Sequence, residues 1–208
     1  MTRTLARLFS VAAVALVALL AVTGLASART ANLSPGGAIT ATSRALTFTQ
    51  ASRIICEVRL IGNLRAGSRS AAAGTQFGEI RSATIPGETC SGGAVERALF
   101  PSGEWKVKQG AFLGTFPNSV TGFAFTIERS EFLLSTFGGF VRCLFSGEAG
   151  ALQALTATRT AGVYTTGSQT SDGVALFSLV SGGCGTGRGR MDGTFTLSPT
   201  QTVTLTEP

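Results

Sequence analysis

The chain has no histidine among its 208 residues. That excludes Ser-His-Asp and Cys-His nucleophilic systems, histidine zinc ligands and the commonest general base near neutral pH. Lysine is confined to Lys106 and Lys108, neither beside a recognisable nucleophile motif, and no GxSxG occurs. Aspartate occurs only at Asp172 and Asp192, so no calcium loop of the DxDxDG kind can be written. Trp105 and Tyr164 are the single tryptophan and tyrosine, which makes a poor stacking platform for sugars. No CxxC pair exists, and the cysteines at 56, 90, 143 and 184 lie too far apart for a zinc ribbon. No cofactor and no metal site is expected. Charged residues make up 13% of the chain and form no block, so its mild basicity serves solubility and no nucleic-acid partner is expected.

What is present begins with an export signal. Arg3 and Arg7 precede a largely apolar stretch from Leu8 to Val22, and Ala26-Ser27-Ala28 supplies small residues for cleavage. The expectation is a signal peptide over 1–28, cleavage after Ala28, and a secreted single domain over 29–208 with no membrane span once the signal is gone. The alternative is a chain tethered to the membrane by an uncleaved anchor, because the apolar run approaches the ~20 residues that span a bilayer. Loss of Arg3 and Arg7 lowers the formal charge from +6 to +4.

Cys56, Cys90, Cys143 and Cys184 all fall in the exported part, and four cysteines there read as two disulfides. Two features repeat along the chain. An alternating strand carries a cysteine, "RIICEVRLIG" first and "FVRCLF" later, and tens of residues on a cysteine opens a glycine turn, "ETCSGG" and "GGCGTG". The parallel suggests that Cys56 bonds Cys90 and Cys143 bonds Cys184.

Period-two alternation dominates the exported part. Ile54, Cys56, Val58 and Leu60 share one face of a strand, as do Trp105 with Val107, and Phe123 with Phe125 and Ile127. Val141 with Cys143 and Phe145, Leu46 with Phe48, and Phe195, Leu197, Val203 and Leu205 repeat the pattern, with threonines at many of the outward positions. Turn signals at "IPGE", "FPSGE", "TFPNS", "TSDG" and "MDGT" punctuate these runs. The fold expected is all-β, an antiparallel β-sandwich with a β-barrel-like form as the alternative. "GALQALTATRTAG" is the one stretch outside the signal that admits a helix.

The order of a Cys56 strand, "ETCSGG", an "EWKV" strand, a Cys143 strand, "GGCGTG" and a closing threonine-rich strand resembles a group of exported actinobacterial disulfide-bonded β-proteins of unassigned function. The resemblance spans most of the exported part and implies no active site.

The stretch "SGGCGTGRGRMDGTF", Ser181 to Phe195, invites a nucleotide reading through its glycines and through Arg188 and Arg190. A phosphate cradle needs strand, glycine loop and helix in that order. Here the following residues are strand-like, and the expectation is a structural loop tethered by Cys184, with Asp192-Gly193 as its turn. Glu57 and Glu104 read as outward strand positions, Glu128 and Glu131 as flanking a turn, and Asp172 and Asp192 as turn formers. The functional expectation is a secreted, non-catalytic protein acting in binding or as an extracellular component, with an extracellular glycan or protein as partner. The alternatives are a carboxylate-dependent glycan hydrolase and a protein-binding module such as a hydrolase inhibitor. Converging carboxylates favour the enzyme, and an open edge strand or exposed apolar patch favours binding.

Overall fold

The computed structural model describes residues 29–49, 53–136, 139–182 and 188–207. Twelve strands follow in chain order: β1 (Thr30–Ser34), β2 (Gly37–Thr49), β3 (Arg53–Leu64), β4 (Gly67–Ser70), β5 (Gln76–Thr84), β6 (Ala94–Leu99), β7 (Trp105–Thr115), β8 (Ser119–Thr136), β9 (Val141–Ala157), β10 (Val163–Gly182), β11 (Arg188–Ser198) and β12 (Thr202–Thr206). A single turn of 3-10 helix, Gly87–Thr89, interrupts them.

All pairings between these strands are antiparallel, as the alternation predicts. Their path runs β11-β2-β3-β5-β7-β8-β9-β10, and β10 pairs with β11 again. Eight strands therefore close into a ring. The antiparallel all-β expectation holds, and closure gives it the barrel-like form. The segment Arg29–Thr206 makes up one compact unit.

Closure needs curvature, and bulges supply it. In β2 the inward residues are Ile39, Ala41 and Ser43, then Leu46 and Phe48; the extra residue lies at the register shift between Ser43 and Leu46. In β8 they are Phe123, Phe125 and Ile127, then Ser130, Phe132 and Leu134. The step falls at Arg129, which has φ 54° and is the one non-glycine residue with positive φ among the described residues. Glu128 and Glu131 thus flank a bulge inside one long strand, which corrects the expected turn.

A second correction concerns the aspartates. Asp172 and Asp192 are not in hairpin turns but lie within β10 and β11, where they are Cα partners. Gly193 beside Asp192 serves packing: a Cβ there would meet Leu46 Cδ1 at 2.8 Å and Leu46 Cα at 3.2 Å. The "GALQALTATRTAG" stretch is strand through Ala157, not helix.

The inward faces read from alternation form the core. Cys56 and Val58 are wholly buried, Trp105 and Tyr164 are 1% exposed, and Phe123, Phe125, Phe132 and Phe145 join them. Phe132 meets Phe48 and Trp105 edge-on at centroid distances of 5.1 and 5.2 Å. Trp105 also stacks on Phe100 at 4.4 Å, and its Nε1 donates to the Leu99 carbonyl at 2.8 Å. One inward position is polar for a backbone reason. Gln153 Nε2 donates to the carbonyls of Ala154 at 2.9 Å and Gly167 at 3.1 Å, beside the β10 bulge where ladder partners are missing.

Both ends of the ring are bridged. At one end β12 leaves the start of β10, pairs with β1, and β1 pairs with β4 in the β3–β5 connection. Gln201, wholly buried, fastens this bridge: its Oε1 accepts the Gly36 amide at 2.8 Å and its Nε2 donates to the Pro199 carbonyl at 3.0 Å. At the other end the β5–β7 connection crosses from β3 to β8. It is held by the Cys56–Cys90 disulfide, the Ile55–Ser91 bridge and the β6–β8 pairing.

Candidate functional site

The concave inside of a barrel is the first place to seek a ligand. Here it is filled. The void left among Leu60, Ile80, Phe125, Phe195 and their neighbours measures about 60 Å³, against roughly 300–1,000 Å³ for small-molecule pockets. That is room for a few waters, and the interior is core.

Among the described residues no group of three or more acidic or cysteine side chains gathers. Glu79, 5% exposed, sits between Arg81 at 2.8 Å and Arg65 at 3.6 Å. Glu96 pairs with Arg142 at 2.8 Å, Glu128 with Lys108, and Glu131 accepts from Ser146 Oγ at 3.2 Å. Glu57 is half-buried on β3, with the Thr89 hydroxyl on its backbone amide. Glu104 lies just before β7. Asp192 lies on the outer face of β11, 3.9 Å from Arg190. Arg69 pins the β3–β4–β5 connection by donating to the carbonyls of Arg65 at 2.5 Å and Ala66 at 2.7 Å. Burial there, and after it the nearby Arg65 charge, lowers the Arg69 pKa from its ordinary value.

The disulfide residues divide by what is described. Cys56 and Cys90 are bonded, with their Cα atoms 4.2 Å apart. Cys143 is wholly buried, and no described cysteine is a free thiol. Cys184 and the expected cleavage residue Ala28 lie outside the described residues, as do residues 183–187 of the glycine stretch. Ser181 and Gly182 end β10, and Arg188 to Phe195 is strand β11 where a phosphate cradle requires a helix.

The feature that sequence reasoning missed lies at the outer edge of β7. β5 accompanies β7 as far as Lys108, and the residues just before β5 reach Gln109, whose amide donates to the Thr75 carbonyl at 2.9 Å and whose carbonyl accepts from the Gly74 amide at 2.6 Å. Beyond that point β7 continues alone on this side. Among the described residues Gly110–Thr115 pairs with β8 and with no other strand. A bulge between Gln109 and Phe112 marks where the edge opens.

Beside this edge runs a cleft of about 480 Å³. Ala71 and Ala73 form one wall, and Gly110, Ala111, Gly114 and Thr115 the other. Its floor is aromatic: Phe112 and Phe116 meet edge-on at 5.3 Å, and the Arg29 guanidinium stands 5.0 Å from the Phe116 ring centroid. The Arg29 carbonyl is fixed by the Ala71 amide at 2.8 Å. Leu113, on the same edge, is 39% exposed. The chain matches no family model, no curated protein and no solved structure. The cleft must therefore be read from its own chemistry.

That chemistry can serve strand pairing. An unpaired strand edge offers a row of amide donors and carbonyl acceptors at fixed spacing, which an extended polypeptide satisfies by adding a strand. Proteins commonly guard such edges with lysine, proline or a covering loop. Gly110–Thr115 carries no charge and no proline. Its signal in the sequence was that uncharged run, "GAFLGT", which begins two residues after Lys108.

Proposed function

We propose that the protein works outside the cell by non-catalytic binding, and that its binding site is the cleft along the β7 edge. One observation carries the reading: a six-residue strand edge, Gly110–Thr115, open among the described residues and floored by two phenylalanines. A disulfide supports an extracellular place. No helix of the described residues is long and apolar enough to cross a membrane.

The test is selection of a random peptide library displayed on phage against the wild-type protein, with counter-selection on Leu113→Lys and Ala111→Pro variants of unchanged melting temperature. The expected result is enrichment of peptides that bind the wild type and lose binding to both variants. Absence of enrichment, or clones that bind the variants equally well, overturns the assignment.

The hydrolase reading keeps one observation in its favour, the placement of Asp172 and Asp192 as Cα partners on adjacent strands. Retaining glycosidases work through two carboxylates brought close together. Asp192, however, is on the outer face and paired with Arg190. Turnover of any polysaccharide in a soluble glycan panel, abolished by Asp192→Asn, would establish the enzyme and displace the binding reading.

A further inference from the structure

Cations that are scattered in the sequence gather on the outer face of β3, β5 and β7. Asn63, Glu79 and Lys106 make one cross-strand row, and Lys106 points outward because Trp105 and Val107 on either side of it are core. Arg81 is the extra residue where the β3–β5 register shifts; its guanidinium lies 2.8 Å from Glu79, with 61% of the side chain exposed. Arg65, just past the end of β3, approaches the same carboxylate at 3.6 Å and is 48% exposed. Arg59, exposed between the buried Val58 and Leu60, opposes Thr84 further along the same two strands. Glu79 itself is 5% exposed. A sunken carboxylate thus orients two guanidiniums and leaves most of their N–H donors to solvent.

We propose that this face is a second binding surface, apart from the β7 edge, and that its ligand is a linear carboxylated polysaccharide, a uronate chain. The charge selects an anion, since Arg59, Arg65, Arg81 and Lys106 stand around the buried Glu79. Other carboxylates lie at the margins: Glu57 two residues before Arg59, Glu104 two before Lys106, and Glu128 on Lys108. Arg65 and Arg81 already meet a carboxylate within the fold, and the planar fork of arginine takes another through two parallel hydrogen bonds. Between Arg59 and Arg81 the face presents Ile61, 37% exposed, and the exposed residues Ser82 and Thr84. The first suits the C–H face of a sugar ring and the others its hydroxyls. A polypeptide fits less well, because β3 pairs on both sides, with β2 and β5, and β5 pairs with β3 and β7, so no strand can be added here. From Arg59 to Arg65, six residues on, is roughly 20 Å of extended chain, the length of several sugar units in line.

The experiment titrates the whole protein with a fluorescent oligogalacturonate, an uncharged malto-oligosaccharide of equal length, poly-L-glutamate and polyphosphate. Anisotropy should show the galacturonate binding about tenfold or more tightly than the other three, and more weakly as salt is raised. Arg59→Gln combined with Lys106→Gln, both at exposed positions, should keep the melting temperature and weaken galacturonate binding about tenfold through lost charge-assisted contacts. Arg97→Gln combined with Arg159→Gln removes the same net charge from exposed positions elsewhere and should leave the affinity within about twofold. Ala111→Pro, which blocks the β7 edge, should also leave it unchanged, so the two surfaces are tested separately. No galacturonate binding up to millimolar concentration at low salt overturns the proposal. Equal losses in the two double variants reduce the effect to net charge and overturn the site, and loss in Ala111→Pro moves the ligand to the cleft and does the same. Polyglutamate or polyphosphate binding as tightly as galacturonate overturns the sugar.

Discussion

Tyr164 on β10 holds the β7–β8 turn in place: its hydroxyl donates to the Pro117 carbonyl at 2.6 Å and accepts the Val120 amide at 3.1 Å. The chain's only tyrosine is thus a buried tie between elements distant in sequence, with 1% of its surface exposed. The turn it anchors carries Phe116 and so sets one end of the cleft floor.

Tyr164→Phe keeps the ring and removes both hydrogen bonds, leaving the Val120 amide and the Pro117 carbonyl unsatisfied. The expected cost is about 1–3 kcal/mol, read by urea denaturation. Hydrogen exchange should accelerate at Val120 and in the turn before it.

Replacing both Cys56 and Cys90 with serine releases the β5–β7 connection from β3. The bond closes a loop with sequence separation 34, for which the chain-entropy relation gives about 4 kcal/mol at 25 °C. Denaturant midpoints of the oxidised wild type and the double variant measure it. Non-reducing peptide maps should recover Cys56 joined to Cys90 and, as the repeated cysteine pattern predicts, Cys143 joined to Cys184.

Gly193→Ala drives a methyl against Leu46 in a filled core. Overpacking of that kind costs roughly 1–3 kcal/mol. A turn glycine without positive φ would accept alanine almost freely, so the size of the loss separates a packed mid-strand position from the turn its sequence suggests. Titration with ATP or NAD should give no binding, since the glycine stretch leads into a strand.

Trp105 offers a clean optical reporter because no other tryptophan competes with it. At 1% exposure, against Phe100 and Phe132, its emission should be blue-shifted and resistant to iodide quenching. Both properties should be lost in one transition with the far-ultraviolet circular dichroism if the barrel melts as a unit.

Alternation made the inward faces legible, because burial on one side of a strand is written at every second residue. Ile54, Cys56 and Val58, Trp105 and Val107, and Phe195 and Leu197 all point where that period placed them. Bulges interrupt the same code. A doubled residue such as Arg44-Ala45 or Glu128-Arg129 resets the phase without changing composition, so local pattern carries no record of the curvature that closes the ring. Asp-Gly pairs misled for a related reason: the dipeptide favours a turn, but long-range packing against Leu46 can require glycine in a strand. The uncharged "GAFLGT" run alone did not reveal the cleft, which depends on where β5 stops accompanying β7, a property of two strands and of neither alone.

The seam of the ring joins β2, near the start of the described chain, to β11, near its end, through pairs such as Thr40 with Ser198. No portion of the chain that lacks β11 can complete the barrel, and until β11 arrives both β2 and β10 remain open to mispairing. Folding is thereby postponed until nearly all of the strands are available, at the slow pace that such distant contacts impose. On the proposed export route, that delay keeps the chain in a passable state.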